Sequence, residues 1–211
     1  MKGEDINTNW VIFGAGNFIF DIIDAIEANN QSVDSIVLNS PIHSTLKKKI
    51  TIPTISIEKF KPKSNTHYIF GFLDPCKIPL INYLKSYNLE FANLIHPRAY
   101  ISKNVSIGMG NYFGPGVIVG PNSKIGSFNY FNRGSLIGHD VVIGSYNHFG
   151  PGSIVCGRCK IIDSCNLGAG SVINDGLNIC SNCIIGSLAG VTKNITKSGT
   201  YVGLPAKRIL R

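Results

Sequence analysis

Every sixth residue from Ile95 to Val191 is apolar. The series runs Ile95, Ile101, Ile107, Phe113, Val119, Ile125, Phe131, Ile137, Ile143, Phe149, Val155, Ile161, Leu167, Ile173, Ile179, Ile185 and Val191, without a slip. The position after each anchor is most often glycine, as at Gly108, Gly114, Gly120, Gly126, Gly138, Gly144, Gly150, Gly168 and Gly186. Four residues after each anchor the side chains are mostly small, as at Ala99, Val105, Ser123, Ser135, Ser153, Ser171 and Ala189. A helix cannot produce this pattern. Its apolar face recurs every ~3.6 residues, and glycine weakens its interior. A solenoid of short strands can: each hexad supplies one strand and one turn, with the aliphatic side chain inward. On this reading the glycine phase supports the turn and the small residue lets it close.

The pattern resembles the hexapeptide-repeat, left-handed parallel β-helix, in which three hexads make one triangular coil. The match covers residues 95–196. Coils in such a stack are spaced like neighbouring strands, ~4.8 Å apart. The C-terminal YVGLPAKRILR leaves the repeat, and its Gly203-Leu204-Pro205-Ala206-Lys207 resembles the G-x-P-A-K/R ending of hexapeptide-repeat acyltransferases.

The N-terminal half is organised differently. An apolar run, WVIF at 10–13, is followed by Gly14-Ala15-Gly16 and then by IFDIIDAIEANN, where Ile19, Ile22, Ile23 and Ile26 suit one helical face. A second strand is expected in VDSIVLN and a third in HYIFGFL, with IPTISIEKF as a connecting segment between them and PLINYLKSY as a final helix. This alternation predicts a small Rossmann-like α/β domain with a parallel sheet over 1–92, ahead of the β-helix and tail over 93–211. Gly14 and Gly16 let a phosphate approach a helix N-terminus, with Asn17 opening the helix. The dinucleotide fingerprint is incomplete, because Asn17-Phe18-Ile19 carries no third glycine. Asn39 and Ser40 follow the second strand, where ribose or base contacts arise in such folds.

The solenoid carries one titratable pair that packing alone does not need. In IGHDVVIGSYNHFGPGSIVCG at 137–157, His139 sits two residues after an inward anchor, with Asp140 beside it and His148 nine residues on. An imidazole titrates near neutrality and suits a general base. The nine-residue spacing is one and a half sides of a three-sided coil, so His139 and His148 are expected on roughly opposite sides of one prism. The cysteines are a different matter. Cys156-Gly-Arg-Cys159 and Cys180-Ser-Asn-Cys183 have the look of a zinc site, yet they lie four hexads apart and so on different faces of a three-sided coil. They are expected to be packed, reduced thiols, and no metal is expected.

The net charge of +8 comes from scattered lysines and arginines, which suits attraction for phosphate-bearing small molecules. No basic stripe interleaved with aromatics exists, so nucleic acid is not an expected partner. No run of 18 apolar residues occurs and the first residues lack a signal-peptide layout, so a cytoplasmic protein with no membrane insertion is expected.

Taken together, the Rossmann-like domain, IHPRAYIS, the hexapeptide solenoid and GLPAK resemble the family of nucleotide-sugar N-acetyltransferases and sialic acid O-acetyltransferases over essentially the whole chain. That resemblance implies acetyl-CoA as cosubstrate, a homotrimer with acetyl-CoA in the cleft between neighbours, and a nucleotide-linked amino sugar held by the N-terminal domain at Gly14, Gly16, Asn17, Asn39 and Ser40. It implies His139 as general base, Asp140 as the carboxylate that orients it, and Gly157 as a backbone N–H facing the thioester oxygen. It assigns acetyl-CoA contacts to His148, Gly157, Ala169, Gly190 and Lys207. Asp140 stands where some members carry Glu, and its reach to His139 is shorter. The leading expectation is N-acetylation of a dTDP- or UDP-linked 4-amino-4,6-dideoxy sugar for surface polysaccharide, by direct transfer. A GDP-perosamine N-acetyltransferase and a sialic acid O-acetyltransferase stand as alternatives. A carbonic-anhydrase-type metal enzyme and a non-catalytic scaffold are the more distant ones.

Overall fold

The computed structural model of the chain describes residues 9–42, 44–72, 77–84 and 87–209. Leu73, Lys85, Ser86, His43, Cys76 and the last two residues of the tail lie outside them. The chain divides into two compact units, the first ending at His96 and the second beginning at Pro97.

In the first unit, β1 (Asn9–Phe13), β2 (Ser32–Leu38), β3 (Thr54–Ser56) and β4 (Thr66–Phe70) form a parallel sheet in the order β3-β2-β1-β4. Helix α1 (Ile19–Ala28) joins β1 to β2 and buries Ile19, Ile22, Ala25 and Ile26, while Ile23 is only half-buried. One segment differs from the sequence reading. IPTISIEKF is a strand, β3, and a 3-10 turn, Ile57–Lys59, not a bare connection. Its threonine and isoleucine pair with β2 through Ile36↔Thr54 and Val37↔Ile55, and Pro53 is tolerated because it precedes the strand at the sheet edge. The last helix runs Lys77–Leu84. Phe13, Phe60, Tyr68, Phe70 and Phe91 pack as one aromatic cluster, with Phe70 stacked on Phe91 at 4.9 Å. Trp10 to Phe13 and Tyr68 to Phe70 are all buried, so β1 and β4 are covered on both sides, as parallel strands usually are.

The second unit is a parallel β-helix. Residues 97–209 are all described, and their strands fall on three faces. Face I holds Tyr100–Ile101, Ile118–Val119, Leu136–Ile137, Ile154–Val155, Val172–Ile173 and Gly190–Val191. Face II holds Ser106–Ile107, Lys124–Ile125, Val142–Ile143, Lys160–Ile161 and Asn178–Ile179. Within the second unit, face III holds Tyr112–Phe113, Tyr130–Phe131, His148–Phe149, Asn166–Leu167 and Cys183–Ile185. Up to the last coil each strand pairs with the one 18 residues on, as in Ile137↔Val155 and Ile143↔Ile161, which is the three-hexad coil that the period implies.

The anchors from Phe113 to Val191 are buried, Ile101 and Ile107 half-buried. Ile95 is the exception: it is exposed, and Leu94 is the buried residue instead. The small-residue phase also points inward. Ser123, Ser135, Ser153, Ser171 and Ala189 are all buried, and so are Asn111, Asn129 and Asn147 in the same phase. Those asparagines form a ladder: Asn129 N–H donates to Asn111 Oδ1 at 2.8 Å, and Asn147 N–H to Asn129 Oδ1 at 2.9 Å. Beside them Phe113, Phe131 and Phe149 stack at 4.7 and 4.5 Å. The coils are therefore locked in register both by polar groups that must stay paired and by stacked rings.

The role expected of the glycine phase is corrected. Left-handed φ falls not on the residue after the anchor but two places later, at Asn122, Phe128, Asp140, Tyr146, Arg158 and Leu188 among others. Glycine follows the anchor because coils touch there. A Cβ on Gly138 would lie 2.6 Å from the Gly157 nitrogen. At its C-terminal end the repeat shortens. Ile179 pairs with Ile195 and Cys183 with Gly199, sixteen residues on, which is why the six-residue series stops at Val191. The tail then turns back as Lys207–Ile209, antiparallel to Gly199–Val202.

Candidate active site

His139 and Asp140 occupy the turn between faces I and II. Asp140 has φ +57°, which tips its carboxylate back toward its neighbour, and His139 Nδ1 lies 2.7 Å from Asp140 Oδ2. The shorter aspartate therefore reaches the ring. The two side chains are about half exposed, at 50% and 49%. The hydrogen bond from His139 holds the Asp140 carboxyl below the usual 3.8, with smaller contributions from the Asn122 side chain and the charge of Arg158. An ionised Asp140 can only accept, so Nδ1 donates to it, and in the neutral ring the lone pair is then on Nε2.

That second nitrogen faces Gly157. A Cβ at Gly157 would stand 2.7 Å from His139 Nε2 and 3.1 Å from Asp175 Oδ1. Glycine is thus what leaves room for the imidazole. The cause is the 18-residue coil, which stacks His139, Gly157 and Asp175 at the same turn of successive coils. The Gly157 carbonyl accepts from Gly176 N–H at 2.9 Å, but among the described residues its own N–H has no partner. A basic nitrogen and an unused backbone donor so lie side by side. Arg158 and Asp175, which sequence reasoning missed, are ion-paired next to them. The signal that could have found them is the same stride: Arg158 is 18 residues after Asp140, and Asp175 is 18 after Gly157.

The other expected acetyl-CoA residues lie elsewhere on the solenoid. His148 is on face III, across the prism from the turn that carries His139, with Nδ1 3.2 Å from Asn166 Oδ1. Ala169 is exposed in the turn after face III. Gly190 is buried and both its backbone groups are used: its N–H donates to Gly203 O at 3.0 Å and its carbonyl accepts from Ala206 N–H at 2.7 Å. The Gly-Leu-Pro-Ala-Lys segment thus caps the last coil over Gly190. Lys207 is exposed at the start of the final strand. The lysines and arginines are scattered over both halves, but the net charge is not. Residues 97–211 hold eleven of the 20 Lys and Arg and three of the 12 Asp and Glu, so the whole excess of +8 belongs to the solenoid.

The cysteines flank turns. Cys156 and Cys159 bracket the turn between faces I and II, and Cys180 and Cys183 the next one, between II and III. Cys180 and Cys183 sulfurs lie 3.5 Å apart. Among the described residues no group of three His, Cys, Asp or Glu is placed to hold a metal ion. Nor is any helix among them long and apolar enough to cross a membrane.

In the first unit the remaining candidates gather at the carboxyl ends of the strands. Gly14 follows β1, its N–H bonded to Val37 O at 2.9 Å, and a Cβ there would press on the Gly71 carbonyl at 3.1 Å. Gly16 is different: a Cβ on it would meet nothing within 4 Å. Asn17 does not cap α1. The helix starts at Ile19, with Phe18 at the cap position and no side-chain cap bond. Asn39 and Ser40, after β2, line an open cleft of about 370 Å³ with Leu38, Pro41, Ser56 and Glu58. The last two were invisible in the sequence reading because β3 was taken for a connection.

The family model described as bacterial transferase hexapeptide (six repeats) matches residues 98–133. No curated protein matches the chain by sequence. Among solved structures, a perosamine N-acetyltransferase variant from Caulobacter crescentus in complex with CoA and GDP-perosamine is similar, with 24% identity, 96% of this chain and 97% of that chain covered, and a TM-score of 0.86. The acetyltransferase domain of PglB from Neisseria gonorrhoeae FA1090, in complex with acetyl coenzyme A, matches at 19% identity over 96% and 100% of the two chains, with a TM-score of 0.83. WeeI from Acinetobacter baumannii AYE matches at 25% identity, again over 96% and 100%, with a TM-score of 0.83. The chain thus carries a hexapeptide-repeat match over residues 98–133 and shares, over nearly its whole length, the fold of these three structures.

Proposed function

We propose that the protein is an acetyl-CoA-dependent N-acetyltransferase acting on a nucleotide-linked 4-amino-4,6-dideoxy sugar. The observation that carries this reading is the turn column of His139, Asp140 and Gly157. Asp140 holds the ring so that Nε2 is the free base, and Gly157 leaves that nitrogen room while offering an unused N–H. The acceptor amine gives its proton to Nε2 as its nitrogen attacks the thioester carbonyl carbon. The oxygen of that carbonyl becomes an oxyanion, which the Gly157 N–H stabilises. Collapse breaks the C–S bond, and the CoA sulfur leaves with a proton returned from His139. No covalent acyl-enzyme is required. The solenoid's positive excess suits the phosphates of CoA.

The sheet order β3-β2-β1-β4, with α1 after β1, supports reading the first unit as Rossmann-like, with the nucleotide at the carboxyl ends of its strands. A trimer is part of the proposal. The outward side chains of face I form an apolar column, Tyr100, Ile118, Leu136, Ile154 and Val172, of which Tyr100 is 64% and Ile118 47% exposed. A flat apolar strip beside the His139 turn is a surface for a second copy, and closed cyclic symmetry is its usual outcome. His139 and His148, on opposite sides of one prism, then line one cleft from two subunits.

The test is release of CoA thiol on mixing acetyl-CoA with amino-sugar nucleotides, hydroxyl acceptors such as sialic acid serving as the comparison. Co-assembled His139→Ala and His148→Ala subunits should regain activity that neither has alone. Acetylation of hydroxyls only, or full activity in a monomer, overturns the respective part of the reading.

A further inference from the structure

The cleft after β2 and β3 has a chemistry that separates nucleobases. Leu38 and Pro41 give it apolar walls, Asn39, Ser40 and Ser56 give it neutral polar groups, and Glu58 alone gives it charge. The Glu58 carboxyl lies below the usual carboxylate range because its own backbone N–H and the Ser56 hydroxyl donate to it. Glu58 opens the 3-10 turn Ile57–Lys59, which follows β3 directly, so the carboxylate is tied to the sheet edge at short range. About 370 Å³ is room for a base and its ribose.

We infer that Glu58 reads the base of the sugar nucleotide and selects guanine, an inference that rests on the acetyltransferase reading only for the sugar. A carboxylate accepts and cannot donate. Guanine presents two donors side by side, N1–H and the N2 amino group, which a carboxylate takes as a fork. Uracil and thymine present one donor, N3–H, set between two carbonyl oxygens, and a carboxylate brought to it meets at least one of those oxygens lone pair to lone pair. Adenine presents its amino group beside the bare N1, with the same conflict. A site built on hydrogen bonds rejects a ligand that leaves its polar groups unpaired, by far more than it rejects a change of shape.

Glu58→Gln is the informative variant. A glutamine offers one acceptor and one donor. It loses the fork to guanine N1–H and N2 and can pair with either base alike, its oxygen on guanine N1–H or uracil N3–H and its NH₂ on O6 or O4, so the preference for guanine should fall away while uracil gains a pair. Glu58→Ala loses the guanine contact without that gain. The side chain is exposed, so neither change should disturb folding, and acetyl-CoA binding serves as the check on each preparation.

The experiment is calorimetric titration of the full chain with GDP, UDP, dTDP and ADP, followed by kcat/KM for the GDP-, UDP- and dTDP-linked 4-amino sugars. GDP is expected to bind at least about 30-fold more tightly than the other three. Glu58→Gln should lower the GDP-to-UDP ratio by about 10-fold or more and raise UDP affinity, whereas Glu58→Ala should lower the ratio without raising UDP. Equal affinities in the unaltered protein, or a ratio that ignores both substitutions, overturns the assignment. Binding is measured without turnover, so the two readings fail separately. GDP selected through Glu58 with no acetyl transfer to any sugar refutes the enzyme and keeps the inference. Acetyl transfer with equal preference for every base does the reverse.

Discussion

Gly157→Ala should abolish most activity while leaving the fold intact. The added methyl would lie 2.7 Å from His139 Nε2, 2.9 Å from Cε1 and 3.1 Å from Asp175 Oδ1. Carbon does not approach nitrogen that closely, so the ring must move by roughly 1 Å. His139 is half exposed and held by one hydrogen bond, to Asp140, so the ring can swing outward at little cost. The backbone at Gly157 is outside the left-handed region, where alanine is strained, and no main-chain atom is among the three nearest to the new methyl. Alanine also keeps the N–H. What is lost is the position of the base alone. A misplacement of about 1 Å costs on the order of 10²-fold in rate, and loss of a positioned base about 10²–10⁴-fold. The expected result is a kcat lowered by about 10²-fold, a melting temperature within about 2 °C of the parent, and acetyl-CoA KM nearly unchanged. Stopped-assay kinetics and differential scanning calorimetry read both. His139→Ala should be as inactive or more so, and the double variant no worse than His139→Ala, since both changes remove one function. A Gly157→Ala enzyme with parental kcat, or multiplicative losses in the double variant, would refute the coupling of Gly157 to the base.

The other expectations concern separate parts of the molecule. Gly138→Ala is the contrast to Gly157→Ala: its methyl would meet the Gly157 nitrogen at 2.6 Å and the Cys156 carbonyl carbon at 2.8 Å, both main chain, so it should lower stability by about 2–4 kcal/mol in denaturant unfolding. Gly16→Val, with open space around its Cβ, should leave the fold unchanged and raise KM for the nucleotide sugar well above any change in KM for acetyl-CoA; equal changes in both would place the nucleotide elsewhere. Asp140 has its carboxyl held below 3.8 by His139, so its contribution to stability is complete above that value and fades as pH falls through the lowered one. Any gap in melting temperature between the protein and Asp140→Asn should therefore close in acid, and a gap that widens there contradicts the pairing. Burial pushes the Cys165 thiol up to about 11 and the Cys183 thiol up to about 12, so both stay protonated at neutral pH, and iodoacetamide should label the half-buried Cys156 and Cys180 ahead of these two, as peptide mass spectrometry would read.

Much of this protein is legible in the residue order because its second half is built from one short rule. When every coil repeats the last, position along the chain dictates position in space, and Ile137, Phe149 or Val155 is inward by count alone. The same count placed His139 on a turn and set it across the prism from His148. The first half obeys no such rule. A three-residue edge strand has too few side chains to show a period, and Thr54–Ser56 becomes a strand only because β2 is already there to pair with it. Ser56 and Glu58 joined the cleft by that pairing, out of sight of the sequence.

The sequence by itself determined the coil, its phase and the residue types at each turn, since a period of six with glycine after the anchor admits one local geometry. Which glycine serves which need was decided by the tertiary structure. Left-handed φ fell two places beyond the expected glycines, on Asp140, Arg158 and Phe128 and on further glycines such as Gly134 and Gly152, because the turn bends there; the glycines next to the anchors sit where one coil's backbone touches the next. Only the stacking of coils put Gly157 against Nε2 of His139, Arg158 and Asp175 beside them, and the chain's tail over Gly190. Contacts between residues 18 apart depend on the distance between coils. That distance is set by hydrogen bonds along the solenoid axis, which no window on a linear chain contains.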